Sequence, residues 1–409
     1  MLTAESKVKN SFLSNLEPNN SVLANPLSKE AVELLHTADF PTRKSEFWKY
    51  SRTAKIQNGN FSFQENNNFN FNNAFSNNTI DIVNGKIQGN NTQGIIVKKL
   101  EDCSSEELSK IGTIANFHRD VFSLMHQAFF QDVLVITVPE STVIEEAVQI
   151  NIASTGNNSV SFPRIFICAE ELSKSKFIIN TESEGDNQLL YVQSEIHVEA
   201  NAKLHLELNN SANSDFLITD TAANVESGAV FHINTLCFDG NWQRNNLDIN
   251  LIGEFAHAEL NGIVMPNGAQ HFDNHTMVSH CVPNCTSSEN YKNVVDGKGT
   301  AIFNGKIMVH QDAQKTNAFQ SSSNILLSDN ATVNAKPELE IYADDVKCSH
   351  GSTTGKLNSE ALFYLQSRGV PAREAKKLLL KAFAAEVLES ISVDAVKELA
   401  ETAIDKKLA

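Results

Sequence analysis

The side chains best suited to hold a metal or a sulfide are those of Cys348 and His350, in the segment Lys336–Gly355. If this segment is extended, residues two apart lie on one face, which places the thiol and the imidazole a few ångströms apart. These two donor types suit iron, zinc or an iron–sulfur unit better than hard cations. Two donors are fewer than such a centre usually needs, so further ligands have to come from elsewhere. The two residues alone also fit a buried cysteine beside a hydrogen-bonded histidine.

A second group of possible metal ligands comprises His271, His275, His280, Cys281 and Cys285. The spacing of its two cysteines differs from that of the usual zinc knuckle. We therefore expect these side chains to serve packing rather than metal binding.

From about residue 133 to residue 348 the chain reads as short strands, in which apolar and polar residues alternate as in Lys203–Leu208. Alanines recur at one constant interval, at Ala202, Ala229 and Ala256. Related segments follow around Ala301 and Ala331, which are separated by a slightly longer interval. A fixed period of the size found in repeat proteins predicts stacked β-coils, although a β-sandwich or a pair of antiparallel sheets also gives short alternating strands.

Helical patterns precede the strands. Ser28 can cap a helix that Pro41 brings to an end, and a helical stretch near Phe117–Phe130 leads into the strand-like Val133–Pro139. Between them, residues 57–79 are rich in Asn and Phe, which is typical of a variable surface excursion.

Helical patterns also follow the strands. Asn358 can cap a helix that runs through Arg368 and ends at Gly369, Pro371 can open a second, and a third starts from Ser392. Because exposed strand edges invite aggregation, we expect helices to cover both ends of a solenoid. The same helices could also offer a docking surface to a partner.

The predicted fold is therefore mainly β and has three parts. Residues 1–130 form a helical segment with the Asn-rich excursion, residues 131–350 form the solenoid core, and residues 351–409 form a helical domain.

Composition narrows the range of partners and compartments. The 409 residues are 41% hydrophobic and 20% charged, which is ordinary for a globular protein. Their net charge of -16 would repel phosphate backbones and anionic membrane surfaces, so we expect neither nucleic acid nor membrane as a partner. The first residues lack the pattern of a signal peptide, and six scattered cysteines do not resemble a disulfide framework. These features predict a cytoplasmic protein with free thiols.

Two long stretches, Tyr342–Gly351 and Leu362–Gly369, resemble the SufB/SufD family, and within it the SufD branch. Pro41–Tyr50 is similar to the opening motif of that family. Single positions in two further regions also match, namely Asp273, Asn274, His275, Thr276, His280, Pro283, Cys285, Ser287, Tyr291, Lys292, Ala375, Leu378, Leu379, Ala382, Phe383 and Glu386. The resemblance spans most of the chain and leaves out the Asn-rich excursion.

The resemblance implies a right-handed parallel β-helix with helical N-terminal and C-terminal segments, and the role of a non-catalytic scaffold in iron–sulfur cluster assembly. A SufB-like subunit would be the partner, and a nascent cluster would be held transiently at the shared interface. His350 would be the candidate iron ligand, and Cys348 a second cluster-binding residue. A SufC-like ABC ATPase would bind the ATP and dock on the C-terminal helices, while a desulfurase system would supply the sulfur indirectly.

Two local features limit what this chain can do alone. The glycine-containing stretch Asp296–Thr300 lacks the spacing of a phosphate loop, so we do not expect the chain itself to bind ATP. SufB carries a glutamate beside the corresponding histidine, whereas Ser349 and Gly351 flank His350 here. We therefore expect the isolated chain to lack a complete cluster site.

Two other functions remain to be weighed. A carbohydrate-active β-helix enzyme needs paired carboxylates, for which Asp344 and Asp345 are the candidates. Neighbouring residues on a strand face opposite ways, which argues against such a pair. A homodimeric, SufB-like scaffold is the other alternative, and the residues beside His350 argue against it.

Overall fold

The structure is a computed structural model that describes residues 16–20, 22–65, 69–71, 75–212 and 215–407. These residues form twenty strands and seven α-helices. The strands are β1 Asn78–Val83, β2 Lys86–Asn91, β3 Ile96–Lys98, β4 Val133–Val138, β5 Val148–Thr155, β6 Val160–Ser161, β7 Arg164–Ala169, β8 Lys174–Glu184, β9 Leu189–Val198, β10 Lys203–Asn210, β11 Phe216–Val225, β12 Val230–Cys237, β13 Trp242–Leu251, β14 His257–Val264, β15 His271–His280, β16 Thr286–Val295, β17 Thr300–Val309, β18 Asn317–Leu326, β19 Thr332–Ile341 and β20 Lys347–Gly355. The helices are α1 Pro26–Leu35, α2 Ala54–Gln57, α3 Ser105–Lys110, α4 Val121–Phe129, α5 Ser359–Ser367, α6 Ala372–Ser390 and α7 Asp394–Lys407. Part of the predicted Asn-rich excursion, at 66–68 and 72–74, lies outside the described residues.

The strands build a parallel β-solenoid of about eight coils, which confirms the predicted fold over the sandwich alternative. The first sheet has the order β2-β1-β5-β8-β10-β12-β14-β16-β18-β20. The second sheet has the order β19-β17-β15-β13-β11-β9-β7-β4-β3, with β6 paired to β9. Each coil thus adds one strand to each sheet. The pairs β1–β2 and β3–β4 at the start of the solenoid are antiparallel.

The constant interval between alanines marks one position in successive coils. Ala202, Ala229 and Ala256 are fully buried and lie just before β10, β12 and β14, whose first residues are in register. Small side chains at this position allow the coils to stack closely, because packed interiors leave little free volume.

The extension of the period to Ala301 and Ala331 is wrong. Ala301 lies in β17 of the second sheet and Ala331 immediately precedes β19, and Ala301 pairs with Val333 rather than with Ala331. The coils also lengthen toward the C-terminal end. More residues lie between the paired residues Thr286 and Asn317 than between the first residues of β12 and β14, which also pair. A constant period therefore cannot follow the chain to the last coil.

The N-terminal segment packs on the outer face of the second sheet. Its apolar side chains, including Trp48 and Phe122, form one cluster with Tyr191 of β9. Helix α1 begins after Asn25, whose side chain accepts a hydrogen bond from the backbone N–H of Leu27. The predicted cap, Ser28, instead lies buried inside the helix. Pro26 at the first helical position explains the difference, because proline fits there and moves the start upstream.

The opening motif Pro41–Tyr50 reaches from this segment to the last strand of the second sheet. Trp48 donates a hydrogen bond from Nε1 to Asp120 Oδ2 over 2.9 Å. The Arg244 guanidinium lies 4.4 Å from the Trp48 ring centre and donates to the Phe47 carbonyl oxygen over 2.7 Å. Glu46 Oε1 and Lys336 Nζ of β19 form an ion pair of 2.7 Å.

The C-terminal helices follow the prediction in their boundaries but not in their position. Asn358 caps α5, and its Oδ1 accepts hydrogen bonds from the backbone N–H groups of Glu360 and Ala361. Gly369 follows α5 with a φ of 87°, which favours glycine. Helices α6 and α7 lie against the outer face of the first sheet, not across its end. The apolar residues that they bury contact Leu236, Ile263 and Val294, which point outward from β12, β14 and β16.

The expectation that the C-terminal helices cover the end of the solenoid is therefore wrong. Instead, these helices bury the outward row of apolar residues on three strands of the first sheet. Among the described helices, none combines the length and the apolar character needed to cross a bilayer.

Candidate functional site

The last coil of the solenoid, which consists of β19 and β20, is open to the outside. Each strand is the final one in its sheet, and within the described residues no strand pairs with its outer edge. A Cβ atom added at Gly351 or Gly355 would meet no described heavy atom within 4 Å. This coil therefore offers unpaired backbone groups and free space above its interior.

The register of β20 shows which side chains face inward. Cys348 pairs with Ala318 and His350 with Gln320, and both partners on β18 are buried. Between them, Ser349 pairs with Phe319, which is 48% exposed on the outside. Cys348 and His350 therefore share the inward face, as their spacing predicts, with Cα atoms roughly 7 Å apart.

The thiol of Cys348 lies in apolar surroundings. It packs against a cluster that includes Ala318 of β18 and Ile307 of β17, together with Leu339 and Val346. Burial raises the pKa of the Cys348 thiol above its ordinary value. The thiol is therefore protonated at neutral pH, and a metal or a cationic group must displace the proton before the sulfur can act as a ligand. All six cysteines of the chain are free thiols.

The imidazole of His350 is solvent-exposed and lies at the top of a polar column. In register beneath it on the first sheet lie Gln320 and then Glu289. The Glu289 carboxyl is fully buried, and burial raises its pKa to about 7. It accepts hydrogen bonds from Thr276 Oγ1 over 2.5 Å and from Gln320 Nε2 over 3.2 Å.

Sequence reasoning missed Glu289 and Gln320. Strand β16 reads Thr-Ser-Ser-Glu-Asn-Tyr-Lys-Asn, in which polar residues fill both faces and no alternation marks the interior. The signal that could have found the column is its spacing. Glu289, Gln320 and His350 follow one another at nearly equal steps, each of which is the length of one of the last coils.

The second group of possible ligands is dispersed. The His271 ring lies 2.8 Å from Ser51 Oγ and stacks on Trp242. His275 Nε2 lies 2.9 Å from Asp273 Oδ1 on the same strand. The other three residues lie apart from these two. His280 contacts Ser287, and Cys281 and Cys285 lie in the turn between β15 and β16. Nowhere in the described ranges do three or more His, Cys, Asp or Glu side chains form a group that could hold a metal ion.

The two neighbouring aspartates lie in the turn that joins β19 to β20, not on a strand. The backbone N–H of Asp345 donates to Gln314 Oε1 over 2.9 Å, and its carbonyl oxygen accepts from the N–H of Lys315 over 2.6 Å. Asp344 beside it is exposed. These contacts fix the turn to the preceding coil.

Comparison with known families assigns the chain. Residues 151–383, more than half of the chain, match the family described as SUF system FeS cluster assembly, SufBD core domain. The chain belongs to the SufB/SufD family. Residues 10–150 match the N-terminal region of SufBD proteins. Both matched regions agree with the resemblance carried by the motifs, and they favour the SufB/SufD assignment over a carbohydrate-active enzyme.

Individual relatives place the chain near SufD. The iron–sulfur cluster assembly protein SufD of Escherichia coli is 37% identical over 216 residues, which cover 52% of this chain and 51% of that protein. A SufBD family protein of Synechocystis is 30% identical over 284 residues, 66% of this chain and 63% of its own length. The chloroplastic protein ABCI7 of Arabidopsis thaliana is 29% identical over 402 residues, 91% of this chain and 83% of its own length. The chain thus spans about half of Escherichia coli SufD in the matched region, and it is SufD-like.

Proposed function

We propose that this chain is a SufD-like, non-catalytic scaffold subunit on whose open coil a nascent iron–sulfur cluster forms together with a second subunit. The cluster is the cargo of the assembly rather than a resident cofactor. The observation that carries the proposal is the position of His350 and Cys348 on the inward face of an uncovered terminal coil. We take His350 as the iron ligand and Cys348 as the second cluster-binding residue.

The geometry supports a site that is incomplete without a partner. His350 and Cys348 supply two donors, and iron in protein clusters commonly takes four. The other residues of β20 are Lys347, serines, threonines and glycines, which offer no strong ligand for iron. The unpaired edges of β19 and β20 can accept strands of a second chain, because exposed strands recruit others through backbone hydrogen bonds. A SufB-like subunit is the partner that we propose for this edge.

The C-terminal helices support docking of a second partner. Helix α5 has no buried residue, and Phe363 and Tyr364 on it are 73% and 58% exposed. Leu378 of α6 is also exposed. Aromatic side chains without cover on a protein surface commonly mark interaction sites. We propose that a SufC-like ABC ATPase binds here and supplies the ATP-binding site of the assembly.

The remaining parts of the proposal concern sulfur supply, compartment and division of the chain. We propose that a desulfurase system delivers sulfur indirectly and that the protein works in the cytoplasm, where free thiols such as its six cysteines persist. We retain the division into residues 1–130, 131–350 and 351–409 as a proposal, although β1–β3 in the first part already pair in the two sheets and β20 continues to Gly355. A homodimer through the same open edge is a minor state of the protein.

The test is an anaerobic affinity purification of the tagged chain from its own cells, with assays of the recovered proteins, iron and sulfide. Recovery with a SufB-like subunit and an ABC ATPase supports the proposal. A chain recovered alone, without iron, would contradict it. A chain recovered only with itself would favour the homodimer as the working form.

Replacing the proposed ligand sharpens this test. We expect His350→Ala to leave the fold and the complex intact, because an exposed side chain contributes little to the core. Iron and sulfide in the purified complex should fall at least several-fold, since His350 is one of few strong donors in the coil. Ser349→Ala, at the adjacent outward position of β20, is the matched control and should retain them. Loss of the complex in His350→Ala would instead make the residue structural.

A further inference from the structure

The turns that lead from the second sheet back to the first form a ridge along one edge of the solenoid. In five successive turns one residue has a left-handed backbone, with φ between 56° and 65°, and these residues are Ser141, Leu172, Asn201, Gly228 and Phe255. Each of the first four donates its backbone N–H to a carbonyl oxygen in the next turn, at Glu171, Ala200, Ser227 and Glu254. We call this stack of turns the turn ridge. It presents one backbone position five times over, filled by different side chains.

Two residues of the turn ridge do not suit this backbone position. Glycine and asparagine tolerate a left-handed conformation, as at Gly228 and Asn201, whereas a large side chain makes it unfavourable. Leu172 and Phe255 nevertheless occupy it, and their side chains gain no burial in return, since they are 49% and 65% exposed. Neither the backbone nor the core accounts for these two residues. Such an outlier on the surface points to a role in binding.

The spacing of the two apolar residues matches an extended peptide. Leu172 and Phe255 are three steps apart on the turn ridge, with Asn201 and Gly228 between them. Neighbouring coils lie about 4.8 Å apart, so the two residues are separated by roughly 14 Å. In an extended chain, residues four apart are separated by nearly the same distance, about 13 Å. One extended segment that runs along the turn ridge can therefore contact both residues with side chains on the same face.

The charge of the turn ridge indicates what kind of segment would bind. The five turns comprise residues 139–147, 170–173, 199–202, 226–229 and 252–256. All their charged residues are glutamates, namely Glu140, Glu145, Glu146, Glu170, Glu171, Glu199, Glu226 and Glu254. The adjoining strand ends contribute Lys174, Lys203, His257 and His197, of which His197 lies 3.0 Å from Glu226. Carboxylates thus outnumber cations, so the turn ridge attracts a basic segment and repels an acidic one.

We propose that the turn ridge is a docking site for a basic, extended segment of a partner protein. Apolar side chains of the segment contact Leu172 and Phe255, and its Lys or Arg side chains face the glutamates of the turns. The apolar contacts supply most of the affinity, while the charges select the partner. The turn ridge is distinct from the open edges of β19 and β20 and from the C-terminal helices. The proposal therefore does not depend on the proposed function.

The test measures binding of short synthetic peptides to the full chain. A fluorescent peptide of sequence Lys-Leu-Lys-Ser-Lys-Leu-Lys, whose leucines are four residues apart, is titrated with the protein at low ionic strength, and its anisotropy is recorded. We expect it to bind about ten-fold more tightly than the same peptide with serine in place of both leucines, the usual effect of losing an apolar anchor. A peptide with glutamate in place of every lysine should not bind. Absence of binding by the first peptide, or equal binding of the first two, would overturn the proposal.

Asparagine variants separate docking from stability. Phe255→Asn should weaken binding of the first peptide about ten-fold, yet leave Tm unchanged or raise it, because asparagine accepts the left-handed backbone. Leu172→Asn should act in the same way, and it serves if Phe255→Asn does not fold. Asn284→Gly is the matched control, since Asn284 has a left-handed backbone in the turn that follows Phe255 and lies outside the two apolar residues. This control should bind the peptide as the wild type does. Unchanged binding in a folded Phe255→Asn or Leu172→Asn would overturn the proposal.

Discussion

The two proposed cluster-binding residues share a strand face but differ in their surroundings. Cys348 packs among aliphatic side chains, and burial raises the pKa of its thiol. His350, two residues further on, lies above the buried amide of Gln320. The sulfur of Cys348 must therefore lose a proton before it can bind iron.

The shared face of Cys348 and His350 could be predicted from their spacing in the sequence. The buried contacts in the coils beneath them could not. An i, i+2 pair on a strand fixes a shared face whatever the rest of the fold does. The contacts of Glu289 with Thr276 and Gln320 join residues that are far apart in the chain, and they depend on the lengths of the intervening coils. No local pattern carries that information.

The raised pKa of Glu289 predicts how stability depends on pH. Unfolding returns the carboxyl to an ordinary pKa near 4.5, against about 7 in the folded chain. Between these values the folded state holds a proton that the unfolded state releases, so this group lowers stability as the pH rises from about 4.5 to 7. The difference corresponds to about 3 kcal/mol at most.

Glu289→Gln removes this titration. We expect the variant to gain free energy of unfolding relative to the wild type on going from pH 5 to pH 8, by up to about 3 kcal/mol. Urea denaturation of both proteins at the two pH values measures the change, and comparing the two proteins cancels the other titrating groups. A difference between variant and wild type that is the same at both pH values would contradict the raised pKa.

At the scale of elements, the sequence predicts the coils where they are regular and fails where they lengthen. Equal steps connect β10, β12 and β14, and the recurring alanines indicate them. The next step in the same sheet, from His257 to Thr286, is longer, and the step from Thr286 to Asn317 is longer again. Extra turn residues do not disturb the strand registers, because each coil pairs through its backbone. The same insertions hide the period from any search for a fixed spacing.

The helix boundaries were predictable for a different reason. Asn358, Gly369 and Pro371 act locally, through capping hydrogen bonds and backbone preferences that need no distant contact. The position of the helices was not predictable, since it depends on which outward residues of β12, β14 and β16 are apolar. Three strands from separate coils combine to form that surface.

The stacked alanines predict a site that is intolerant of larger side chains. Ala229 is fully buried between the coils that carry Ala202 and Ala256. We expect Ala229→Leu to destabilise the protein by about 1–3 kcal/mol, the usual cost of overpacking. Calorimetric unfolding measures the loss, and Ala372→Leu at the exposed start of α6 is the control that should change little. Equal stability of the two variants would show that the coils have space to spare there.

At the scale of the molecule, the two ends of the solenoid differ. The first end carries the antiparallel pairs β1–β2 and β3–β4, and the N-terminal segment packs beside it. The other end carries a full coil whose outer edges are unpaired in the described chain. Natural sheets usually protect such an edge, and this unprotected one supports the proposal that a second subunit covers it.

The incomplete ligand set predicts that the isolated chain does not retain a cluster. We expect anaerobic reconstitution of the chain alone, followed by desalting, to leave far less than one iron and one sulfide per chain. The same treatment with a SufB-like partner should give stoichiometric iron and sulfide, because the partner supplies the missing donors. The iron and sulfide assays, together with the visible absorption of the cluster, decide the matter. Stoichiometric iron and sulfide on the isolated chain would contradict a shared site.

The open coil also bears on how the molecule is synthesised. A solenoid that emerges from the ribosome always ends in one uncovered coil, on which the next strand of the same chain pairs. In β19 and β20 this growing edge persists in the finished protein, with Lys336 on it held by Glu46 from the N-terminal segment. In terms of the backbone, the proposed second subunit would add one more coil here. Chain growth and the proposed assembly would then use the same backbone hydrogen bonds.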